Sequence, residues 1–325
     1  MKNNNIMNSL QRIVLLILIV TFYSSCNNKT SNSIRIGILE GPSAVSFIQL
    51  IDQPSEIEGK KIEIIIKSEP QQIQALMMQG KLDFAILPTI MAANLYNKGL
   101  KYRMVACPIW GTLYIVTNAK GIDDIADLKE QTISVFGQGG TSDVLLRRIL
   151  QQNVVANVKI DYTHATNNEI AQALLLKKIK VAVVSEPLVS KLQAQDKSIH
   201  IVKKLVCEEC IDNLDKNIFV QTSFLVSERF TVNNANLVKL VCDAYSNSCN
   251  YTNEQPEKTA ELLVENEFLP NIEIAKNSIP LCNIHFVSSF AIQQEVNRYL
   301  NIFYKYNPES IGGKLPDSDF VYQTY

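Results

Sequence analysis

Several residue types are scarce in this sequence of 325 residues. It contains three histidines, a single tryptophan and 12 glycines, and Lys and Arg (31) balance Asp and Glu (32). Three histidines offer little material for a His-rich metal centre. Balanced charge provides no broad basic surface for a nucleic-acid backbone. We therefore expect no metal site and no nucleic-acid partner.

The rest of the composition is typical of a folded globular protein. Apolar residues make up 46% of the chain and charged residues 19%. These fractions exclude disorder, collagen and coiled coil as descriptions of the whole chain. At roughly 150 residues per domain, the length predicts about two domains.

The N-terminal region predicts export. Residues 13–22 form an apolar stretch behind Lys2 and Arg12. A membrane-spanning helix needs about 20 apolar residues, so this shorter stretch is typical of a signal peptide. We expect residues 1–25 to be removed.

The cysteine that follows predicts a lipid anchor. Residues 23–26 (Tyr-Ser-Ser-Cys) resemble a bacterial lipobox, in which the chain is cut before the cysteine and the Cys26 thiol is lipidated. Tyr23 replaces the usual Leu, so a plain signal peptide and an uncleaved anchor remain alternatives. Residues 26–33 are polar and aperiodic, which is typical of a tether. The predicted location is the periplasm or cell envelope, as an exported, membrane-anchored lipoprotein.

Six further cysteines leave their pairing open. Cys207 and Cys210 form a CxxC motif, which fits a loop disulfide, a pair of free thiols, or redox or metal chemistry. Cys242 and Cys249 lie on one face of a predicted helix and are expected in the core. The remaining two are Cys107 and Cys282.

Short β-branched stretches alternate with helical patterns from residue 34 onward, which predicts an α/β fold with mainly parallel sheets flanked by helices. The predicted strands are 34–39, 61–67, 84–87, 102–109, 113–117, 132–136, 158–162, 181–185 and 219–227. The predicted helices are 44–52, 71–79, 90–98, 142–152, 169–178, 233–252, 256–266 and 288–306.

So many strands exceed what one open sheet of a chain this long usually holds, so two sheets are expected. The first lobe would comprise residues 34–117 and 221–325, and the second lobe residues 118–220. Two chain crossings between the lobes would form a hinge.

Ligands of open α/β sheets bind beyond the carboxyl ends of the strands, so the loops there are the candidate site. In the first of these loops Gly41 and Pro42 turn the chain, and Ser43 is expected to cap a helix that starts at Ala44. In the second loop Pro88 ends a strand and Thr89 is expected to cap the next helix.

Trp110, Gly111 and Thr112 form a third candidate loop. The tryptophan could stack on a planar ligand or belong to the core. The glycine would allow backbone to approach a ligand closely.

A glycine-rich turn between a strand and a helix is the fourth candidate. Gln138, Gly139, Gly140, Thr141 and Ser142 would aim N–H groups at an anion or polar group. No Lys precedes the Ser/Thr as in a P-loop, and Ser142 stands where a dinucleotide fingerprint needs its third glycine. We therefore expect no nucleotide cofactor.

The fifth candidate is Glu186, directly after the predicted strand 181–185. Its carboxylate could accept a hydrogen bond from a ligand amine, or it could contact only water. No nearby His, Cys or Ser forms a general acid–base or nucleophilic pair with it, so no catalytic residue is predicted.

Together, these segments resemble the solute-binding proteins of ABC importers, in the group that binds taurine, alkanesulfonates, nitrate and thiamine-pyrimidine precursors. The resemblance rests on Gly41-Pro42-Ser43, residues 82–89 (LDFAILPT), residues 127–133, Gly137-Gln138-Gly139, Ser185-Glu186-Pro187, and residues 279–284 and 307–317 near the C-terminus.

This resemblance implies a two-lobe type II periplasmic-binding fold that closes on its ligand by hinge motion. It implies a non-enzymatic, monomeric protein that delivers a small polar solute to a membrane permease and ATPase. No Lys or Arg lies in the candidate loops, which weakens a sulfonate relative to a pyrimidine or amine. The alternatives are an enzyme on the same fold, of the menaquinone- or pyrimidine-pathway type, and an interaction lipoprotein without a ligand.

Overall fold

The computed structural model describes residues 32–205, 211–212, 216–217, 219–232 and 234–323. The predicted signal peptide, Cys26 and the CxxC cysteines Cys207 and Cys210 lie outside these residues. Among the helices of the described ranges, none combines the length and the apolar character that crossing a bilayer requires.

The described residues form an α/β structure. The strands β1 to β14 are Ser33–Leu39, Glu56–Ile57, Lys60–Lys67, Phe84–Pro88, Tyr102–Ile109, Leu113–Thr117, Thr132–Ser134, Lys159–Asp161, Val181–Ser185, His200–Lys204, Ile211–Asp212, Lys216–Asn217, Thr222–Ser227 and Ile284–Ser288. The α-helices α1 to α11 are Pro42–Asp52, Pro70–Met78, Thr89–Asn97, Thr141–Gln152, Asn167–Leu175, Leu188–Gln195, Glu228–Thr231, Ala235–Glu254, Pro256–Glu265, Ile272–Ser278 and Gln293–Tyr306.

The strands form two main sheets, as predicted. The first sheet has the order β14-β5-β13-β4-β1-β3-β2, and the second has the order β10-β6-β9-β7-β8. Strand β1 pairs in parallel with β3 and β4, and β7 pairs in parallel with β8 and β9. The inner strands β1, β4 and β9 are mostly buried and largely apolar, as expected where a parallel strand is covered on both faces. Strands β3 and β8 are more exposed and carry charged residues.

Each sheet also contains antiparallel strands. Strand β13 lies between β4 and β5 and runs antiparallel to both. Strand β6 runs antiparallel to β9 and β10. The amino ends of β6 and β13 therefore lie at the edges where the parallel strands end, and residues just before these two strands reach the candidate site.

The first chain crossing occurs earlier than predicted. Strand β5 belongs to the first sheet, whereas β6 (Leu113–Thr117) pairs in the second. The sequence prediction that placed residues 113–117 in the first lobe is therefore wrong for this strand, because β9 and β10 satisfy its backbone hydrogen bonds. The chain passes between the sheets at residues 110–112 and returns between β10 and β13. The remaining lobe boundaries and the hinge stay predictions.

The core packs on both faces of both sheets. On one face of the first sheet, the rings of Phe47 (α1) and Tyr245 (α8) stack with centroids 3.8 Å apart, and Phe224 of β13 packs beside them. The opposite face shares a continuous cluster with one face of the second sheet, and α11 contributes Tyr299 to it. Helices α5 and α6 cover the remaining face of the second sheet.

Candidate functional site

A cavity of about 790 Å³ lies where strand ends of the two sheets meet. The first sheet contributes the segments after β1, β3 and β4 and the residues just before β13. The second sheet contributes the segments after β7 and β9 and the start of β6. This convergence is what the strand-end rule predicts for an open α/β fold.

Helix α1 presents its first turn to the cavity. The helix begins at Pro42, and the N-cap residue Gly41 has a positive φ of 82°, which favours glycine. Ser43 lies inside the first turn, so the prediction that it caps the helix is wrong. Its side chain is buried at the cavity wall. The first N–H groups of α1 have no intrahelical acceptor and are available to a ligand.

Pro88 ends strand β4, as predicted, but Thr89 does not cap the next helix. Pro88 is part of β4, pairs with Thr222 of β13 and lines the cavity. Thr89 begins α3 rather than capping it and is fully buried. Its N–H donates to the carbonyl of Gln221 at 3.0 Å, and its hydroxyl accepts from Ser223 at 3.0 Å. Both polar groups of Thr89 are therefore used inside the protein.

The first crossing contributes Thr112, which lines the cavity. Its N–H donates to the side-chain oxygen of Gln221 at 2.8 Å, and the Gln221 amide donates to its hydroxyl at 3.0 Å. Trp110 and Gly111 are not among the lining residues. The Trp110 indole donates to the carbonyl of His285, and its ring packs against the core. This geometry favours the core alternative for the tryptophan.

The glycine-rich turn reaches the cavity at the start of α4. Gln138, Gly140, Thr141 and Ser142 line it. The N–H of Gly139 donates to Asp143 Oδ2 at 2.8 Å.

A buried network fixes Asp143 in turn. Its Oδ1 accepts from Arg147 Nε at 2.7 Å and from the Tyr162 hydroxyl at 2.7 Å. These hydrogen bonds fix the position of the glycine-rich turn. The Gly139 N–H is used within the protein and is not available to a ligand.

Glu186 lies at the cavity wall and is 1% exposed. Its carboxylate accepts hydrogen bonds from the hydroxyl of Ser190 at 3.1 Å and from the Ser190 N–H at 3.3 Å. Burial raises the pKa of the Glu186 carboxyl to about 7, although the two bonds from Ser190 oppose the shift. A carboxylate that titrates near neutrality in a cavity is a functional candidate.

Eight of the predicted site residues line the cavity, namely Ser43, Pro88, Thr112, Gln138, Gly140, Thr141, Ser142 and Glu186. Those outside the lining are Ala44, Thr89, Trp110, Gly111 and Gly139. Whether any of them contacts a ligand stays a prediction.

The sequence analysis missed several lining residues that carry charge or hydrogen-bonding groups. Lys191 of α6 lines the cavity, and its ammonium donates to the carbonyl of Phe268 at 3.2 Å. It lies in the first turn of the helix after Glu186, and the segment that follows strand β9 is the signal that could have indicated it. Glu40, Glu69 and Glu267 also line the cavity.

Cysteine and metal chemistry find no support in the described part of the chain. Cys107, Cys242, Cys249 and Cys282 are buried and form no disulfide among the described residues, and burial raises the pKa of Cys107, Cys249 and Cys282. The prediction that Cys242 and Cys249 are core residues is confirmed. Across the described ranges, no group of three or more His, Cys, Asp or Glu side chains could hold a metal ion.

Known structures share this architecture. A crystal structure of an ABC transporter from Parabacteroides distasonis is 32% identical and matches 89% of this chain and 98% of its own, with a TM-score of 0.79. The periplasmic aliphatic sulphonate-binding protein SsuA of Escherichia coli is 17% identical over 90% of this chain and 93% of its own, with a TM-score of 0.70.

The nitrate-binding protein NrtA of Synechocystis PCC 6803 is 12% identical over 89% of this chain and 87% of its own, with a TM-score of 0.66. The predicted type II periplasmic-binding fold is thus confirmed. A comparison with curated proteins gave no match. A family profile described as NMT1/THI5 like matches residues 56–259, and this chain therefore belongs to the NMT1/THI5-like family.

Proposed function

We propose that this protein is the solute-binding component of an ABC importer and that it captures a small polar solute in the cavity between its two sheets. The observation that carries the proposal is the cavity itself. Its volume of about 790 Å³ and its lining by strand ends of both sheets suit a small molecule. Closure of the two halves around the solute would be a hinge motion through the two crossings.

The relatives support the class of function. The Parabacteroides distasonis protein is described as an ABC transporter, and the more distant structures are binding proteins for aliphatic sulphonates and for nitrate. For this chain a sulfonate, a nitrate-like anion and a pyrimidine or amine are the candidate solutes. The partners would be a membrane permease and its ATPase, and the protein would act as a monomer without catalysis.

Ligand-dependent stabilisation tests the proposal. Purified protein without its first 25 residues is heated with separate sulfonates, nitrate, pyrimidines and amino acids, and Tm is recorded. A ligand at 100 times its Kd stabilises the folded state by about 2.7 kcal/mol. We expect at least one compound to raise Tm. Turnover of a bound compound would instead favour the enzyme alternative.

A cavity-filling variant provides the control. Ser142→Trp at the start of α4 would occupy the cavity and abolish the Tm shift, whereas Gln152→Trp at the exposed end of the same helix would not. A Tm shift that survives Ser142→Trp would place the solute elsewhere on the protein.

The proposed anchor requires a separate test. We infer from residues 23–26 that the exported protein is lipidated on Cys26 and held at the membrane. Mass spectrometry of the membrane-extracted protein should find an N-terminal Cys26 carrying acyl chains. Cys26→Ser should release the protein from the membrane fraction. An unmodified Cys26 in the membrane fraction would contradict the inference.

A further inference from the structure

The carboxylate of Glu186 has no basic partner in the described part of the chain. No Lys, Arg or His nitrogen of those ranges lies within 4.0 Å of it, and its hydrogen bonds come from the single residue Ser190. Buried carboxylates are normally paired or fully hydrogen-bonded, because removing their charge from water is unfavourable. A carboxylate left with acceptor capacity at a cavity wall can receive hydrogen bonds from a ligand.

The surroundings of Glu186 do not supply a positive charge. The negative charge of Glu186 contributes to the raised pKa of Tyr114 in β6 and of Cys282, and neither group carries a positive charge. Lys191 lies on α6, the helix that follows Glu186, but its ammonium donates to the carbonyl of Phe268. Burial lowers the pKa of Lys191, and the nearby negative charge of Glu40 opposes this shift.

The rest of the lining is acidic. Four glutamates line the cavity, Glu40, Glu69, Glu186 and Glu267. Among the described residues, Lys191 is the only Lys or Arg that lines it. Burial and the negative charge of Glu40 both raise the pKa of Glu69, which indicates that these two carboxylates repel each other. A fixed negative field of this kind opposes the entry of an anion.

Helix N-termini also face the cavity, and they favour anions. However, the N-terminus of α6 already holds an anion, because Ser190 donates its N–H to Glu186. In the glycine-rich turn, the N–H of Gly139 is taken by Asp143 and that of Gly140 by the carbonyl of Gly137. The first turns of α1, α2, α4 and α5 also line the cavity, and their neutral N–H groups suit a carbonyl, hydroxyl or ring-nitrogen acceptor of a solute.

We propose that Glu186 selects the solute and that this solute carries a positively charged, N–H-bearing nitrogen group, such as an ammonium, amidinium or guanidinium. The inference rests on the proposed function and narrows its solute class. The N–H groups donate to the free lone pairs of Glu186, and the positive charge compensates the buried carboxylate. An anion of the same shape would instead be repelled by the negative charge of Glu186.

Probes of matched shape and opposite charge test the inference. Guanidinium and nitrate are both planar and trigonal, and benzamidinium and benzoate share one planar outline. Each is added at millimolar concentration to the protein, to Glu186→Gln and to Glu261→Gln, and Tm and calorimetric binding are measured. Glu261 lies exposed on α9, away from the cavity, and provides the matched control.

We expect the two cations to raise Tm of the protein and of Glu261→Gln, and Glu186→Gln to lose at least tenfold in affinity for them. The affinity for benzamidinium should fall about tenfold per pH unit below pH 7, since the cation binds the ionised carboxylate. Glu186→Gln should remove this pH dependence.

The failures of the two proposals are distinguishable. Stabilisation by nitrate, benzoate or a sulfonate that equals or exceeds that by the cations would overturn the inference and leave the proposed importer function standing. Binding of the cations that Glu186→Gln does not weaken would overturn it as well. Absence of any shift, with these probes and with the wider panel above, would overturn both.

Discussion

Replacing Glu186 by Gln should stabilise the protein at alkaline pH and not at acidic pH. In the folded protein the carboxyl pKa is raised to about 7, compared with 4.5 for an unburied glutamate. Between these values the folded state retains a proton that the unfolded chain has released. Stability from this group is therefore present below pH 4.5 and is lost as the pH rises through 7.

The size of the effect follows from the shift. Each pKa unit corresponds to about 1.4 kcal/mol, so ionised Glu186 lowers the free energy of unfolding by about 3 kcal/mol above pH 7. Between about pH 5 and about pH 8 the change is about 2 to 3 kcal/mol. The amide introduced by Glu186→Gln does not titrate, so its hydrogen bonds with Ser190 contribute a constant offset that cancels between the two pH values.

Urea denaturation at the two pH values measures the change. We subtract the free energy of unfolding of wild type from that of Glu186→Gln at each pH. We expect this difference to be about 2 to 3 kcal/mol larger at the higher pH, which means that the variant gains stability over wild type there. Glu261→Gln, an exposed substitution of the same chemistry, should follow the wild-type profile. Parallel pH profiles for wild type and Glu186→Gln would refute the view that ionised Glu186 destabilises the folded protein at the cavity wall.

Three further substitutions have definite expected outcomes. Asp143→Asn removes the negative charge that binds Arg147 and the Gly139 N–H. We expect urea denaturation to show a free energy of unfolding lower by about 2 to 4 kcal/mol, together with a smaller ligand-induced Tm shift. An unchanged Tm shift would refute the role of Asp143 in positioning the turn. Gln221→Leu leaves the buried Thr112 N–H without its acceptor. We expect the free energy of unfolding to fall by about 1 to 3 kcal/mol and the amide hydrogens of residues 110–112 to exchange faster. Unaltered exchange would show that Gln221 does not hold this segment. Tyr245→Phe removes a buried hydroxyl bonded to Ser46 at 2.8 Å; we expect a loss of about 1 kcal/mol with ligand binding retained, and reduced binding would contradict its assignment to the core alone.

The parallel parts of the fold could be predicted from the sequence. Strand β1 carries an Ile at every second position and β9 is built mostly of Val, and each strand is followed by a turn signal and a helix. Ser43 and Glu186 follow the carboxyl ends of β1 and β9, where ligands of open α/β sheets bind. Both of them line the cavity.

The antiparallel strands limited the prediction. Periodicity reveals a strand but not its direction or its sheet. Strand β6 was therefore assigned to the wrong sheet. The sequence predicts a strand over 219–227, whereas β13 begins at Thr222, so Gln221 lies just before the strand and not within it. Its contact with Thr112 joins residues 109 positions apart, and no local pattern indicates it.

The sequence also did not indicate which loop N–H groups form hydrogen bonds within the protein. Thr89 and Gly139 stand in loops that predict free N–H groups, yet Gln221 and Asp143 accept from them. The bond of Thr89 depends on a distant chain segment that packs beside its loop, which a single sequence does not show. Asp143 stands only four residues beyond Gly139, so that bond is local. Helix α3 likewise begins at Thr89 itself, so the expected cap does not form.

The paired hydrogen bonds between Thr112 and Gln221 couple the two places where the chain passes from one sheet to the other. Residue 112 belongs to the outgoing passage and residue 221 to the returning one. Rotation of one half of the molecule against the other must either turn both passages in concert or break these bonds. In the proposed hinge motion the two chain segments would therefore move as one joint. Because both residues also border the cavity, a solute bound there would lie beside that joint.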